Sequence, residues 1–173
     1  MKIRSNKGFT LIEMIVVVAI LGVLATATIA VLNPIAQIQK GNDAKRKADL
    51  SQIQKALEVY YQDYGAYPAY VISSSHYYLD PLTGSPPVKT QINWGSPWQP
   101  YMNIVPKDPV STKYYVYYTP NGQSYYLYAS LDRGTKDLQA CTGGVCSGAG
   151  LGNMTTICGG ICNFGVSSPD KTP

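Results

Sequence analysis

Histidine is nearly absent: His76 is the only one in 173 residues. That leaves little room for a histidine-based catalytic or metal cluster, and no Ser-His-Asp or Cys-His arrangement appears. No glycine-rich phosphate loop occurs, and the acidic residues are scattered, so no enzyme is expected. Charge is also scarce, at 14% of residues, with 14 Lys and Arg against 10 Asp and Glu. Three of those cations, Lys2, Arg4 and Lys7, fall in the first eight residues, and the remaining 11 against 10 make the body nearly neutral. A nucleic-acid binder carries a large basic excess to neutralise phosphates, so nucleic acid is not an expected partner. Cysteine is missing from the first 140 positions, and only two Phe and two Trp accompany 15 Tyr. The length fits one domain of about 100 to 200 residues with an appendage.

The appendage is plain to read. From Phe9 to Leu32 run twenty-four residues, FTLIEMIVVVAILGVLATATIAVL, with Glu13 as the single ionisable side chain. As a helix this segment is about 36 Å long at about 1.5 Å per residue, enough to cross a hydrocarbon core of about 30 Å. The cations ahead of it predict a cytoplasmic N-terminus, although Lys40, Lys45, Arg46 and Lys47 follow the other end.

A cleaved secretory signal also has a basic start and an apolar stretch, and Ala25-Thr26-Ala27 fits a small-residue cleavage site. Glu13 argues against that reading. A carboxylate near a membrane centre costs roughly 2.5 to 3.5 kcal/mol on insertion scales, and an expendable signal has no use for it. Cleavage after Gly8 would free an α-amine on Phe9, four residues before Glu13, and give the carboxylate a cation.

The string KGFTLIEMIVVVAILGVLA, Lys7 to Ala25, resembles the leader and first helical half of type IV pilins and type II secretion pseudopilins. The resemblance implies that a prepilin peptidase cuts after Gly8 and methylates Phe9. It also implies that Glu13 recruits or registers the neighbouring subunit. Subunits of this kind wait in the bacterial inner membrane and are packed into a homo-oligomeric helical filament by an assembly platform and its ATPase. The filament is then periplasmic or at the cell surface.

Apolar residues continue at Leu50, Ile53, Leu57, Tyr60 and Tyr64, one stripe of an amphipathic helix. Gly65 and Pro68 predict its end near Tyr64, Pro34 predicts a bend, and Gly41-Asn42 is a second weak point. The stretch from Asp43 to Pro68 resembles the second helical half of the major pseudopilin. Its Lys40, Lys45, Arg46 and Lys47 read as a solvated basic face attractive to lipid headgroups.

From Ala69 to Thr112 the composition is rich in Pro, Ser and Gly and predicts a long connecting loop, pinned by Trp94 and Trp98. Tyr114 to Thr119 and Ser124 to Ser130 flank Pro120-Asn121-Gly122, a strong hairpin signal. Val105-Pro106-Lys107-Asp108-Pro109 ahead of it is similar to the turn that leads into the sheet of the major pseudopilin. The Tyr residues are expected to serve ordinary amphipathic packing, about half of them in the helix-sheet interface or along strands.

Cys141, Cys146, Cys158 and Cys162 are separated by four, eleven and three residues. Zinc ligands are usually paired more closely, and an extracytoplasmic tail favours two disulfides. Three connectivities are open, and the nested one, Cys141 with Cys162 and Cys146 with Cys158, is preferred. The tail from Leu138 to Pro173 has few large apolar residues, so it is expected to depend on these cross-links rather than on burial. Many type IV pilins have a disulfide-bounded C-terminal loop, whereas the major pseudopilin holds calcium there. Asp132 and Asp137 are the candidate calcium ligands, two carboxylates against the six to eight or so oxygens such a site takes. No other cofactor is expected. Asn153-Met154-Thr155 matches a glycosylation sequon, a pattern common by chance.

These readings predict an α+β, pilin-like fold: a leader over 1–8, a transmembrane and assembly helix over 9–32, and an amphipathic second half over 33–64. A loop and antiparallel sheet follow over 65–137, then a cysteine-rich tail over 138–173. The function expected is that of a filament subunit, either a type II secretion pseudopilin or a type IV pilus subunit. The alternative is a single-pass membrane-tethered binding domain that does not polymerise.

Overall fold

The computed structural model describes residues 8–84, 87–147 and 149–173, without the side chains of residues 30–32 and 135. The leader cations Lys2, Arg4 and Lys7 lie outside the described residues. The chain divides into two compact units, Met1–Ile38 and Gln39–Pro173.

Helix α1 spans Leu11–Leu32 and is capped by Thr10. It ends at Asn33, whose φ of 40° lies in the left-handed region, and α2 (Pro34–Tyr64) starts on the next residue. Pro34 therefore interrupts the helix as expected, taking the first position of α2, where a missing N–H costs nothing. Gly41-Asn42 does not break α2, which continues through it. The helix stops at Gly65, which has φ 69° and donates its N–H to the Tyr61 carbonyl at 2.8 Å.

The α2 residues buried against the body are Asp43, Arg46, Asp49, Leu50, Ile53, Ala56, Leu57 and Tyr60. Tyr64, expected to close the stripe, is 40% exposed. The solvated basic face needs a larger correction. Lys40 and Lys45 are exposed, but Arg46 is wholly buried and Lys47 half-buried. Arg46 Nη1 donates to Asp43 Oδ1 at 2.9 Å and lies 3.0 Å from Asp132 Oδ2, while Nε and Nη2 grip Asp108. Burial works against the Arg46 charge, but Asp108 and Asp132 outweigh it and push the guanidinium pKa further up.

The expected loop over 69–112 is partly strand. β1 (Ala69–Ser73) and β2 (His76–Asp80) form an antiparallel hairpin in which Ser73 opposes His76. Its two-residue turn, Ser74-Ser75, has positive φ at both positions, the primed geometry that matches strand twist. Serine is an unusual choice there, and so the turn carried no recognisable signal. A short pair, β3 (Leu82–Thr83) and β4 (Val88–Lys89), follows. Within the remaining turns Trp98 is 1% exposed and packs against Tyr60 and Tyr101.

The main sheet has the order β5-β6-β7, all antiparallel, from β5 (Val116–Tyr118), β6 (Tyr126–Ala129) and β7 (Phe164–Ser167). Side chains alternate strictly along β6 because successive Cβ atoms point to opposite faces. Leu127 and Ala129 join α2's Leu50, Ile53, Ala56, Leu57 and Tyr60 in the main core. Tyr126 and Tyr128 turn to the other face and pack with Val116, Cys146, Met154, Cys158 and Cys162. Tyr60, Tyr67, Tyr115, Tyr117, Tyr125, Tyr126 and Tyr128 are all buried, in keeping with a packing role.

Two expectations for the tail are overturned. Its cysteines pair sequentially, Cys141 with Cys146 and Cys158 with Cys162, instead of in the nested order. The tail is also ordered by burial, because β7 pairs with β6 along four residues and Phe164 enters the main core. Gly159 (φ 70°) lets it press on the body: a Cβ there would stand 1.9 Å from the Thr112 carbonyl oxygen. Next to it the Tyr114 N–H donates to the Cys158 carbonyl at 3.0 Å.

Candidate processing and assembly site

The start of α1 gathers Gly8, Phe9, Thr10 and Glu13. Thr10 has extended backbone angles and accepts the Glu13 N–H at 3.3 Å on its hydroxyl. In return Glu13 Oε2 accepts the Thr10 N–H and the Thr10 hydroxyl, both at 2.8 Å. This is a capping box, and its pattern of Thr followed three residues later by Glu ahead of an apolar run was readable in the sequence. Thr10 is thus a further residue of this site, though it carries no ionisable group. The helix begins at Leu11, so in the chain with its leader Phe9 lies outside it and Glu13 occupies the third helical position. Both bonds fall on Oε2, and Oε1 has no partner among the described residues.

Gly8 is exposed, with open space where a side chain would stand, and Phe9 is 79% exposed. Among the described residues, nothing crowds the junction between them. Beyond it, Leu11–Ile29 is apolar on every side and long enough by composition to cross a membrane. A helix apolar all round needs lipid or other helices around it. Its hydroxyls are already satisfied: Thr26 donates to the Val23 carbonyl at 2.9 Å and Thr28 to that of Ala25 at 2.8 Å. They present no unmet polar group to hydrocarbon.

The calcium candidates lie in the loop after β6. Lys113 Nζ holds Asp132 Oδ1, and Arg46 lies against Oδ2. Both oxygens of Asp137 accept from Lys47 Nζ at 2.7 Å. Burial works to raise the Asp132 carboxyl, but Lys113 and Arg46 outweigh it and hold its pKa below the ordinary value. Asp137 is lowered chiefly by Lys47, with burial opposing. Carboxylates already neutralised by side-chain cations do not fit a divalent ion, and no group of three His, Cys, Asp or Glu suited to a metal occurs among the described residues.

An apolar helix with a capped Glu near its start, continued by a second helix packed on a small antiparallel sheet, defines a pilin-like subunit. The prokaryotic N-terminal methylation motif matches residues 3–29, and the model of type II secretion system (T2SS), protein G, matches residues 33–143. The chain belongs to the type II secretion system protein G family, the major pseudopilins, which are structural filament subunits and not enzymes.

The chain is 30% identical over 157 residues to the type II secretion system core protein G of Vibrio cholerae, covering 88% of this chain and 94% of that protein. Its counterpart in Pseudomonas aeruginosa is 32% identical over 157 residues, with 88% of this chain and 98% of that protein covered. The core protein G of Pectobacterium carotovorum is 33% identical over 109 residues, 63% of this chain and 65% of its own length. No solved structure matches significantly. Of the two filament classes expected, the pseudopilin is the one supported. Membership implies anchoring in the inner membrane by the N-terminal helix and assembly with the secretion machinery.

Proposed function

We propose that a prepilin peptidase cuts this chain after Gly8 and methylates the new Phe9 amine. The mature subunit then stands in the inner membrane with its N-terminus in the cytoplasm. An assembly platform and its ATPase add it to a periplasmic pseudopilus made of copies of the same chain. The open Gly8-Phe9 junction, one residue ahead of the Thr10–Glu13 capping box, is the observation that carries this reading.

Chemistry links the two steps. Cleavage turns the Phe9 amide into a cationic amine beside a carboxylate, and an ion in hydrocarbon is tolerable only when paired. Glu13 can take the amine of its own chain or that of the next subunit. The second pairing sets the axial step between neighbouring helices, while the apolar surface of α1 supplies adhesion.

Intact mass and N-terminal sequencing test the cleavage: a methylated chain starting at Phe9 is expected, and a start at Thr28 would mean an ordinary cleaved signal. Glu13→Ala should still insert and be processed, but filament yield should fall sharply. Normal filaments from that variant would overturn the role given to Glu13.

A further inference from the structure

The loop after β6 is held by cations that belong to the chain. On α2, the neighbours Arg46 and Lys47 serve different carboxylates, Arg46 reaching Asp132 at 3.0 Å and Lys47 both oxygens of Asp137 at 2.7 Å. Lys113, ahead of β5, donates to the Ser130 carbonyl at 3.0 Å as well as to Asp132. Asp43 closes the arrangement from α2, accepting the backbone N–H of Asp132 at 2.7 Å and of Arg133 at 3.0 Å. The Lys47 ammonium also sits 5.7 Å from the centre of the Phe164 ring, which ties the same cation to β7.

These groups are shielded. Side-chain exposure is 24% for Lys47, 16% for Lys113, 16% for Asp132 and 13% for Asp137, and Arg46 has none. Ion pairs this far from water escape most of the screening that makes exposed pairs nearly worthless. A calcium ion entering here would have to displace two ammonium groups and lie near a guanidinium. Like-charge repulsion opposes that directly.

We propose that Lys47 and Lys113, with Arg46, are resident cations that close the loop between β6 and the tail, so that this pseudopilin folds without calcium. The inference does not depend on processing or polymerisation, and its test reads stability alone.

The full chain in detergent micelles, melted in millimolar calcium and again in excess chelator, should show the same midpoint. A genuine site at a hundred times its dissociation constant would separate the two midpoints by roughly 5 to 10 °C for a domain of this size. Such a separation would overturn the proposal. Lys47→Gln and Lys113→Gln should each lower the midpoint by several degrees in both buffers, with Lys→Arg at the same positions restoring most of the loss. Wild-type midpoints for both Gln variants would equally overturn it. If a Gln variant fails to fold, the calcium comparison on the wild-type chain decides the matter.

Discussion

Arg46 and Asp108 meet in a two-pronged contact, Nε donating to Oδ2 at 2.8 Å and Nη2 to Oδ1 at 3.0 Å, with both side chains wholly out of solvent. This joins the middle of α2 to the Pro106-Lys107-Asp108-Pro109 turn. The two prolines restrict the backbone around Asp108, and its Oδ1 also accepts the Val110 N–H at 2.8 Å. The carboxylate is therefore held from its own segment as well as by Arg46.

Breaking that contact from one side should be costly. Asp108→Ala leaves the Arg46 charge buried with Asp43 and Asp132 alone, and a loss of about 3 to 5 kcal/mol is expected by chemical denaturation. Arg46→Met, which strands several carboxylates, should be at least as damaging. A loss under about 1 kcal/mol for Asp108→Ala would place this contact with ordinary surface pairs.

Acid should weaken the body through Asp132 and Asp137. Both carboxyls are held below their ordinary values in the folded protein, so the folded state binds fewer protons than the unfolded one. Their contribution is complete above the unfolded value of about 3.9 and is lost as pH falls through the lower folded values. Melting midpoints followed from neutral pH downward should hold steady and then drop in that window. Asp132→Asn should make the drop shallower, and an unchanged slope would remove Asp132 from the account.

Met154 stands between the two cysteine pairs, which gives a simple test of their connectivity. Cyanogen bromide cuts after methionine, so without reduction the sequential pairing releases 155–173 as a separate peptide. A nested pairing would leave that peptide attached until thiol is added. The bridges span separations of only 5 and 4 residues, so the chain-entropy model gives each roughly 2 kcal/mol, near the low end for disulfides.

Gly159→Ala tests how firmly the tail is seated. The new Cβ meets the Thr112 carbonyl oxygen at 1.9 Å, on a backbone whose φ of 70° already disfavours a side chain. Something must shift, and a loss of roughly 2 kcal/mol or more is expected, with earlier proteolysis of the tail. Gly143→Ala has open space around it, although its φ of 79° also strains a side chain. It should therefore be the milder change, and equal losses at the two positions would show that contact with Thr112 contributes nothing.

Much of this protein is written locally. The mainly apolar segment of twenty-four residues from Phe9, the Thr10–Glu13 pair, the break at Pro34, the stripe from Leu50 to Tyr60, the stop at Gly65 and the hairpin around Asn121-Gly122 each follow from a few neighbouring residues. Periodicity and backbone preference act over one or two turns of chain, so these features needed no knowledge of the rest. What tertiary structure alone decided are the partnerships between distant segments. Arg46 looks like one cation in a solvated basic run until Asp108, 62 residues away, comes against it and removes it from water. The four cysteines allow three pairings, and the folded tail, packed on Tyr126 and Tyr128, holds the sequential one. β7 and its pairing with β6 are equally invisible locally, since an edge strand as short as Phe164–Ser167 is stabilised by the strand it joins. Charge burial and strand addition both depend on which surfaces the fold brings together, and no local window of the sequence contains both partners.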